Sequence, residues 1–368
     1  MEQWVLISAG EASGDLHAAN LVRALKRENP DLAFFGIGGA RLKAERVDLI
    51  ADVTPLASVG PFEGIPTYER LIRVFYQLLK ETKKRKPYAA VLIDYPEFNM
   101  RLAPRLKRLG IRVFYYIVPQ VWAWRSHRVA TLANFTDMAL CVLPFEESWL
   151  RRRRVNAHFV GHPLLDVVPN PHTLSAAKSE FAPDDRPLVA LLPGSRRHEV
   201  KRLLPLMLES AQRLSKKVSA SFCISCAASV PKRLFASSPY PVTDKTYRLL
   251  AAADCAIITS GTATLEAALL LCPSVVVYRV STPTFLLLYW LLHTRTYALC
   301  NIAAGEPVAE ELLQYRATPN RIAKAVLRLL DERLRRDKIE ALKRLKQRLG
   351  SAGVANRAAS LILKHLNK

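Results

Sequence analysis

Short, uninterrupted apolar runs alternate along this chain with longer segments whose apolar residues recur every three or four positions. The runs Trp4–Ala9, Ala33–Ile37, Ala89–Asp94, Val113–Val118, Met138–Leu143 and His158–Val160 read as one set of strands. Leu188–Leu192, Ser221–Ala227, Ala256–Thr259 and Ser274–Val280 read as a second set. Strands apolar on both faces, each followed by a helix-period segment, predict parallel sheets covered on both sides. Between the sets, Gly161–Arg186 carries Pro163, Pro169, Pro171 and Pro183 and is the best linker candidate. The expected class is α/β: two doubly wound domains facing across a cleft, with ligands at the strand C-termini. The expected boundaries are 1–165 and 166–340, followed by C-terminal helices over 341–368 that pack back on the first domain or on a partner chain. Within that last region Arg333–Leu349 is helical by pattern. Leu334, Ile339, Leu342, Leu345 and Leu349 lie near one face, and the rest is crowded with Lys and Arg.

Composition narrows the partners. The 368 residues suffice for two cores, and 54 Lys and Arg against 32 Asp and Glu give a net charge of +22. Such a chain is drawn to polyanions: nucleic acid, an anionic membrane surface or phosphorylated substrates. No nucleic-acid reading module is recognisable, nor a basic surface interleaved with aromatics, so nucleic acid is not expected. The six cysteines sit mostly in apolar runs and none clusters with His at zinc spacing. Cys223 and Cys226 lie three apart on a strand and so point to opposite faces, which favours buried thiols and a reducing cytoplasm. The N-terminus shows no signal-peptide pattern. The longest apolar run, Phe285–Leu292, falls far short of the ~20 residues a spanning helix needs.

Two loops in the second half suit a diphosphate. Ala190-Leu-Leu-Pro-Gly-Ser-Arg-Arg197 reads as a strand that turns through Gly194 and Ser195 into a helix. A helix N-terminus offers unpaired N–H groups and a partial positive charge, and Arg196 or Arg197 adds a guanidinium fork. Ile257-Ile-Thr-Ser-Gly-Thr-Ala-Thr-Leu-Glu266 repeats the arrangement, with Ser260, Gly261 and Thr262 at the turn. Glu266, about one helical turn on, suits either a ribose diol or a plain first-turn acid favoured by the helix dipole. Neither a Walker pattern nor Gly-x-Gly-x-x-Gly occurs, which counts against ATPase and dinucleotide readings.

The first half carries different chemistry. Gly10-Glu-Ala-Ser-Gly-Asp-Leu-His17 follows the first strand and places Glu11 at a strand end. Asp94 ends the apolar run Val91-Leu-Ile-Asp94, where partial desolvation suits a general base; a cap for the following loop is the other reading. His17 suits loop capping or substrate contact better than base catalysis. No Asp-x-Asp pair occurs, which disfavours a metal-dependent sugar-nucleotide site, so neither metal nor cofactor is expected.

Several segments in order carry a specific resemblance. They are Gly10-Glu-Ala-Ser-Gly-Asp15, Ile93-Asp-Tyr-Pro-Glu-Phe-Asn99, Pro119-Gln-Val-Trp-Ala-Trp-Arg125, Leu143-Pro-Phe-Glu146, Val160-Gly-His-Pro163, Leu192-Pro-Gly-Ser-Arg196 and Thr259-Ser-Gly-Thr-Ala-Thr-Leu-Glu266. With Asn301-Ile-Ala-Ala-Gly305 and Leu312-Leu-Gln314, they resemble the bacterial lipid-A-disaccharide synthases, a family-19 glycosyltransferase family, over about residues 4–330. Two departures stand out: Glu97 where many members have Asp, and two prolines in Val59-Gly-Pro-Phe-Glu-Gly-Ile-Pro66.

The resemblance implies a GT-B fold of two Rossmann-like domains, the first binding a lipid-linked acceptor and the second the UDP of the donor. It implies inverting transfer of 2,3-diacylglucosamine from UDP-2,3-diacylglucosamine to the 6-hydroxyl of 2,3-diacylglucosamine 1-phosphate. The products are the β-1,6 lipid A disaccharide 1-phosphate, a lipopolysaccharide precursor of the Gram-negative outer membrane, and UDP. The nearest rival is another GT-B enzyme using UDP-N-acetylglucosamine, such as the lipid-II-forming transferase or a 2-epimerase. By resemblance Asp94 is the proposed base, Glu11 lies near the reacting centre, and Arg196, Glu266, Asn301 and Gln314 are donor-side residues. Acylated substrates call for an apolar surface rimmed by cations. Tyr68, Leu71, Ile72, Phe75, Leu78 and Leu79 form a helical stripe flanked by Arg70, Arg73, Lys80, Lys83, Lys84 and Arg85. That stripe fits either a headgroup layer or a core-facing helix. Phe285–Leu292 and Arg151–Arg154 are further candidates for the same surface. The expected location is peripheral, on the cytoplasmic face of the inner membrane; a homodimer is left open.

Overall fold

The computed structural model describes residues 3–57, 65–123, 126–171, 173–174, 178–182, 184–280 and 296–367. The chain divides into two units, Met1–Asp166 with Ser351–Lys368, and Val167–Gly350. The first crossing, at 166/167, lies in the proline-bearing segment read as a linker.

Unit 1 is built on a seven-stranded parallel sheet. Its strands are β1 (Gln3–Ala9), β2 (Leu32–Gly38), β3 (Asp48–Asp52), β4 (Ala89–Ile93), β5 (Arg112–Tyr116), β6 (Met138–Cys141) and β7 (Ala157–Phe159). They lie in the order β3-β2-β1-β4-β5-β6-β7. Unit 2 holds β8 (Leu188–Leu192), β9 (Ser221–Ser225), β10 (Val242–Thr243), β11 (Cys255–Thr259), β12 (Ser274–Tyr278) and β13 (Glu310–Leu313), in the order β10-β9-β8-β11-β12-β13. Both orders run outward from a first strand and then reverse, between β1 and β4 and between β8 and β11. Such reversals leave a crevice at the strand C-termini where doubly wound folds take ligands.

The continuous apolar runs follow from this layering. In β8, Val189 and Leu191 enter the cluster formed with the helices Arg197–Ser215 and Pro319–Leu329. Leu188, Ala190 and Leu192 enter the cluster on the opposite face. Cys223 and Cys226 divide between the same two clusters, and all six thiols are buried and free. Three strands escape the apolar pattern. β3 carries Asp at both ends, β10 has two residues, and β13 begins Glu310-Glu311. All three are edge strands, where charge is tolerated and discourages pairing with another chain.

The C-terminal helices of the region 341–368 divide between the two units. The helix Glu332–Arg348 stays in unit 2, and Val354–Leu366 returns to unit 1, packing on Ala12–Glu28. Asp166 fastens the return: its carboxylate accepts from the backbone N–H of Gly353 (2.6 Å), Val354 (3.1 Å) and Ala355 (2.9 Å). At the other end the Arg112 guanidinium donates to the carbonyls of His365 (3.0 Å) and Leu366 (2.8 Å), complementing the C-terminal helix dipole.

Candidate active site

The motif loops fall at the two reversals. In unit 1 the loop after β1 carries Gly10 and Glu11, and the loop after β4 carries Asp94 and Tyr95. β1 and β4 are paired neighbours, so these loops are adjacent. Their fit is close: a Cβ on Gly10 would lie 2.3–2.6 Å from the Tyr95 ring, so only glycine lets the ring pack there. Asp94 is half-buried, and its carboxyl is pushed up to about 6. Burial is the main cause and the Glu11 charge adds to it; a hydrogen bond from the Tyr95 backbone opposes both. Glu11 is exposed at the head of the helix Ala12–Glu28.

His17 is placed differently. It is buried, with Nδ1 lacking a hydrogen-bond partner among the described residues, and burial pushes its imidazole down to about 4. Its electrostatic neighbours are Asp166 and His162, itself buried and pushed down to about 3. Asp15 is structural: it accepts from Gly39 N (2.7 Å), Arg41 N (2.9 Å) and Leu42 N (3.3 Å), capping the short helix Ala40–Ala44.

Glu146, quoted in a motif but given no role by the sequence, proves to be a buried clamp. It accepts from Trp122 Nε1 (3.0 Å), Leu143 N (3.0 Å) and Val142 N (3.2 Å), joining the loops after β5 and β6. Burial pushes its carboxyl up to about 7 despite those bonds. Trp124 and Arg125, of the motif that supplies Trp122, lie outside the described residues.

In unit 2, β8 and β11 are also paired neighbours, which sets the Gly194 and Gly261 loops side by side. Gly261 has φ +146°, a conformation that favours glycine, and it heads the helix Thr262–Leu269 with Thr262 exposed beside it. Ser260 is engaged locally, its N–H donating to Val277 O (3.2 Å) and its hydroxyl to Tyr297 O (3.3 Å). Glu266 is half-buried and pushed up by burial, and Tyr247 donates to it at 3.1 Å. The other loop differs from expectation. The amides of Ser195 and Arg196 both donate to Glu199 Oε2, at 3.1 Å each, and Arg196 pairs with Glu199 Oε1 at 3.7 Å. A carboxylate of the same helix thus occupies the anion position, a capping arrangement that residue types alone did not reveal.

Asn301 and Gln314 are turned inward. Asn301 donates to Ala309 O and Glu311 Oε1 and accepts from Ala309 N, each at 2.8 Å. Gln314 bridges both backbone groups of Val280, accepting at 2.7 Å and donating at 3.1 Å. Their amides hold β13 and its surroundings. Asn301→Ala strands buried polar groups and is expected to cost about 2–4 kcal/mol. An unchanged chemical-denaturation midpoint would contradict this.

The stripe on the helix Ile65–Arg85 splits. Leu71, Phe75 and Leu79 pack against the unit 1 core and Leu78 is fully buried, whereas Tyr68 and Ile72 are 53% and 40% exposed. Tyr76, which the periodicity did not single out, is 66% exposed and completes an i, i+4, i+8 row with them. Arg85 is committed to Asp48 and Glu81 and lies over the Trp4 and Phe35 rings. In the Arg151–Arg154 run all four residues are exposed, with Arg151 paired to Glu147 and Arg153 stacked on Trp149. Phe285–Leu292 and residues 58–64 lie outside the described residues.

A family model described as lipid-A-disaccharide synthetase matches residues 5–365. The chain belongs to the lipid-A-disaccharide synthase family. A relative of that name from Myxococcus xanthus is 41% identical over 372 residues, covering 98% of this chain and 97% of the relative. Another from Syntrophus aciditrophicus is 44% identical over 375 residues, with 99% and 98% covered. Among solved structures the chain is similar to the glycotransferase of kitacinnamycin, with TM-score 0.68, 14% identity and 98% of both chains covered. It is also similar to a Staphylococcus aureus MnaA–UDP structure, with TM-score 0.67, 13% identity, and 100% of this chain and 97% of that one covered. These likenesses fit the two sheet orders and show the fold, GT-B with Rossmann-like units. Family membership makes the chain an enzyme of lipid A disaccharide synthesis, a glycosyltransferase using a UDP-sugar donor and a sugar acceptor.

Proposed function

We propose that the donor is UDP-2,3-diacylglucosamine and the acceptor 2,3-diacylglucosamine 1-phosphate, joined β-1,6 with inversion. The observation that carries this reading is the family match over nearly the whole chain, with the motif loops at both sheet reversals. Asp94 takes the proton of the acceptor 6-hydroxyl while its oxygen bonds to the anomeric carbon. The bond from that carbon to the diphosphate oxygen breaks, and its electron pair leaves with UDP. The helix head at Gly261–Thr262, aided by the Arg196 guanidinium, stabilises the charge that develops on the diphosphate. Glu266 accepts from the ribose hydroxyls. Unit 1 holds the acceptor and unit 2 the donor.

Mass spectrometry of the product from the two diacylated substrates tests the reading. A disaccharide 1-phosphate is expected, with little turnover of UDP-N-acetylglucosamine. Preference for the unacylated donor would favour the GT-B rivals.

No described helix is long and apolar enough to cross a membrane. We propose peripheral attachment to the cytoplasmic face of the inner membrane, through the exposed row Tyr68, Ile72 and Tyr76 and the exposed cations Arg70, Arg73, Lys80, Lys83 and Lys84. Each basic residue near an anionic leaflet contributes about 1 kcal/mol, weakened by salt. The variant Y68S/I72S/Y76S is expected to lower retention on anionic liposomes at least about tenfold, because these side chains otherwise bury apolar area in the bilayer. Retention equal to the parent at both low and high salt would refute this placement.

A further inference from the structure

The Asp94–Tyr95 turn is strained. Asp94 has φ +46° and Tyr95 φ +49°, two consecutive non-glycine residues in the left-handed region. Each such residue costs about 1–3 kcal/mol and persists only where its surroundings over-determine it. Here the restraint is dense and converges on one peptide. Asn99 is fully buried in the first turn of the helix Pro96–Arg108. Its side-chain N–H groups donate to the carbonyls of Asp94 (2.8 Å), Ile93 (3.2 Å) and Ser8 (3.3 Å). Its oxygen accepts from the Ser8 hydroxyl at 2.6 Å. The hydroxyl of Tyr115, a fully buried residue of β5, donates to the same Asp94 carbonyl at 2.7 Å. The Asp94 N–H donates to Tyr116 O at 3.1 Å, and the Tyr95 carbonyl accepts from Phe98 N and Asn99 N. Side chains from β1 (Ser8), β5 (Tyr115) and the helix Pro96–Arg108 (Asn99), all outside the reacting centre, thus hold one turn.

We propose that Asn99, with Ser8 and Tyr115, is a positioning residue: this buried hydrogen-bond set holds the Asp94–Tyr95 turn left-handed and thereby aims the Asp94 carboxyl at the acceptor hydroxyl. The proposal rests on the reading of Asp94 as proton acceptor. None of the three touches the carboxyl oxygens in the bonds above; they act on the backbone that carries it. A plain cap for a helix start needs the Tyr95 carbonyl and its helical N–H partners, but not two side-chain donors on the Asp94 carbonyl. The charged and titratable groups around this turn are Glu11 from the loop after β1, Tyr95 and Glu97 from its own segment, Tyr115 from β5, and Arg128, which pairs with Glu97 at 2.9 Å.

The test is kinetic, on the full-length enzyme with both diacylated substrates. Tyr115→Phe removes one oxygen and keeps the ring. It is expected to lower kcat about tenfold with both KM values within about twofold of the parent, as small misplacements of a catalytic group do. Asn99→Ala is expected to lower kcat about 100-fold. In both variants the acid limb of the kcat–pH profile moves to lower pH, because a loosened turn lets water reach the carboxyl. If Asn99→Ala fails to fold, Tyr115→Phe decides alone. A Tyr115→Phe enzyme with parental kcat and an unmoved acid limb overturns the positioning role, even if its melting temperature falls. Asp94→Asn is run alongside: parental turnover in that variant overturns the proton-acceptor reading instead.

Discussion

Asp94→Asn is expected to leave a folded protein whose turnover is about 10²–10⁴-fold slower than the parent, the usual worth of a positioned general base. The asparagine keeps shape and loses only the capacity to take a proton. The parent should also reveal the group through pH. Burial and the Glu11 charge hold the Asp94 carboxyl at about 6, and the reactive form is the carboxylate. The rate therefore falls as pH drops through about 6 and levels off above it. Glu11→Gln removes the like charge, so its acid limb should lie at lower pH than the parent's. UDP release measured between about pH 5 and 8 checks all three enzymes. An Asn variant that retains more than half the parental rate would exclude the assignment.

The second large effect is expected at the donor. Glu266→Ala should weaken UDP binding by about 10- to 150-fold, the equivalent of the roughly 1.5–3 kcal/mol that hydrogen bonds to a charged group contribute. Glu266 is half-buried and, among the described residues, accepts from Tyr247, so its second oxygen and remaining lone pairs suit a ribose diol. Calorimetric titration with UDP gives the dissociation constant directly. Tyr247→Phe should have a smaller effect, because it removes an orienting partner and leaves the acceptor. Equal UDP affinity in Glu266→Ala and the parent would place the ribose elsewhere.

The alternation of buried strands and amphipathic helices was legible because both sheets are covered on both faces, so runs such as Val189–Leu192 contain no polar interruption. The edge strands β3, β10 and β13 were not, since an edge tolerates Asp48, Asp52 and Glu310. At the site, residue types located the loops but not the direction in which each side chain turns. Asn301, Gln314 and Asp15 carry chemistry-bearing groups and spend them on neighbouring backbone. Glu146 and Asn99 were hidden because each also ties in a group from another loop or strand: Trp122 lies 24 positions from Glu146, and Ser8 lies 91 positions from Asn99. On the helix Ile65–Arg85, a 3.6-residue period places Leu71, Phe75, Tyr68 and Ile72 on one broad stripe. Only packing decides that the first two meet the core and the others meet solvent.

Because Val354–Leu366 belongs to unit 1 while residues 167–350 form unit 2, the two units are completed in reverse order during synthesis. The nascent sheet β1–β7 leaves the ribosome without the helix that covers Ala12–Glu28, and without the amides that Asp166 is there to receive. Unit 2 is contiguous and free to fold as it emerges. At translation rates of about 5–20 residues per second, the exposed apolar face of the first helix waits roughly 15–65 seconds for its cover, an interval in which chaperone engagement should concentrate on this half of the nascent chain.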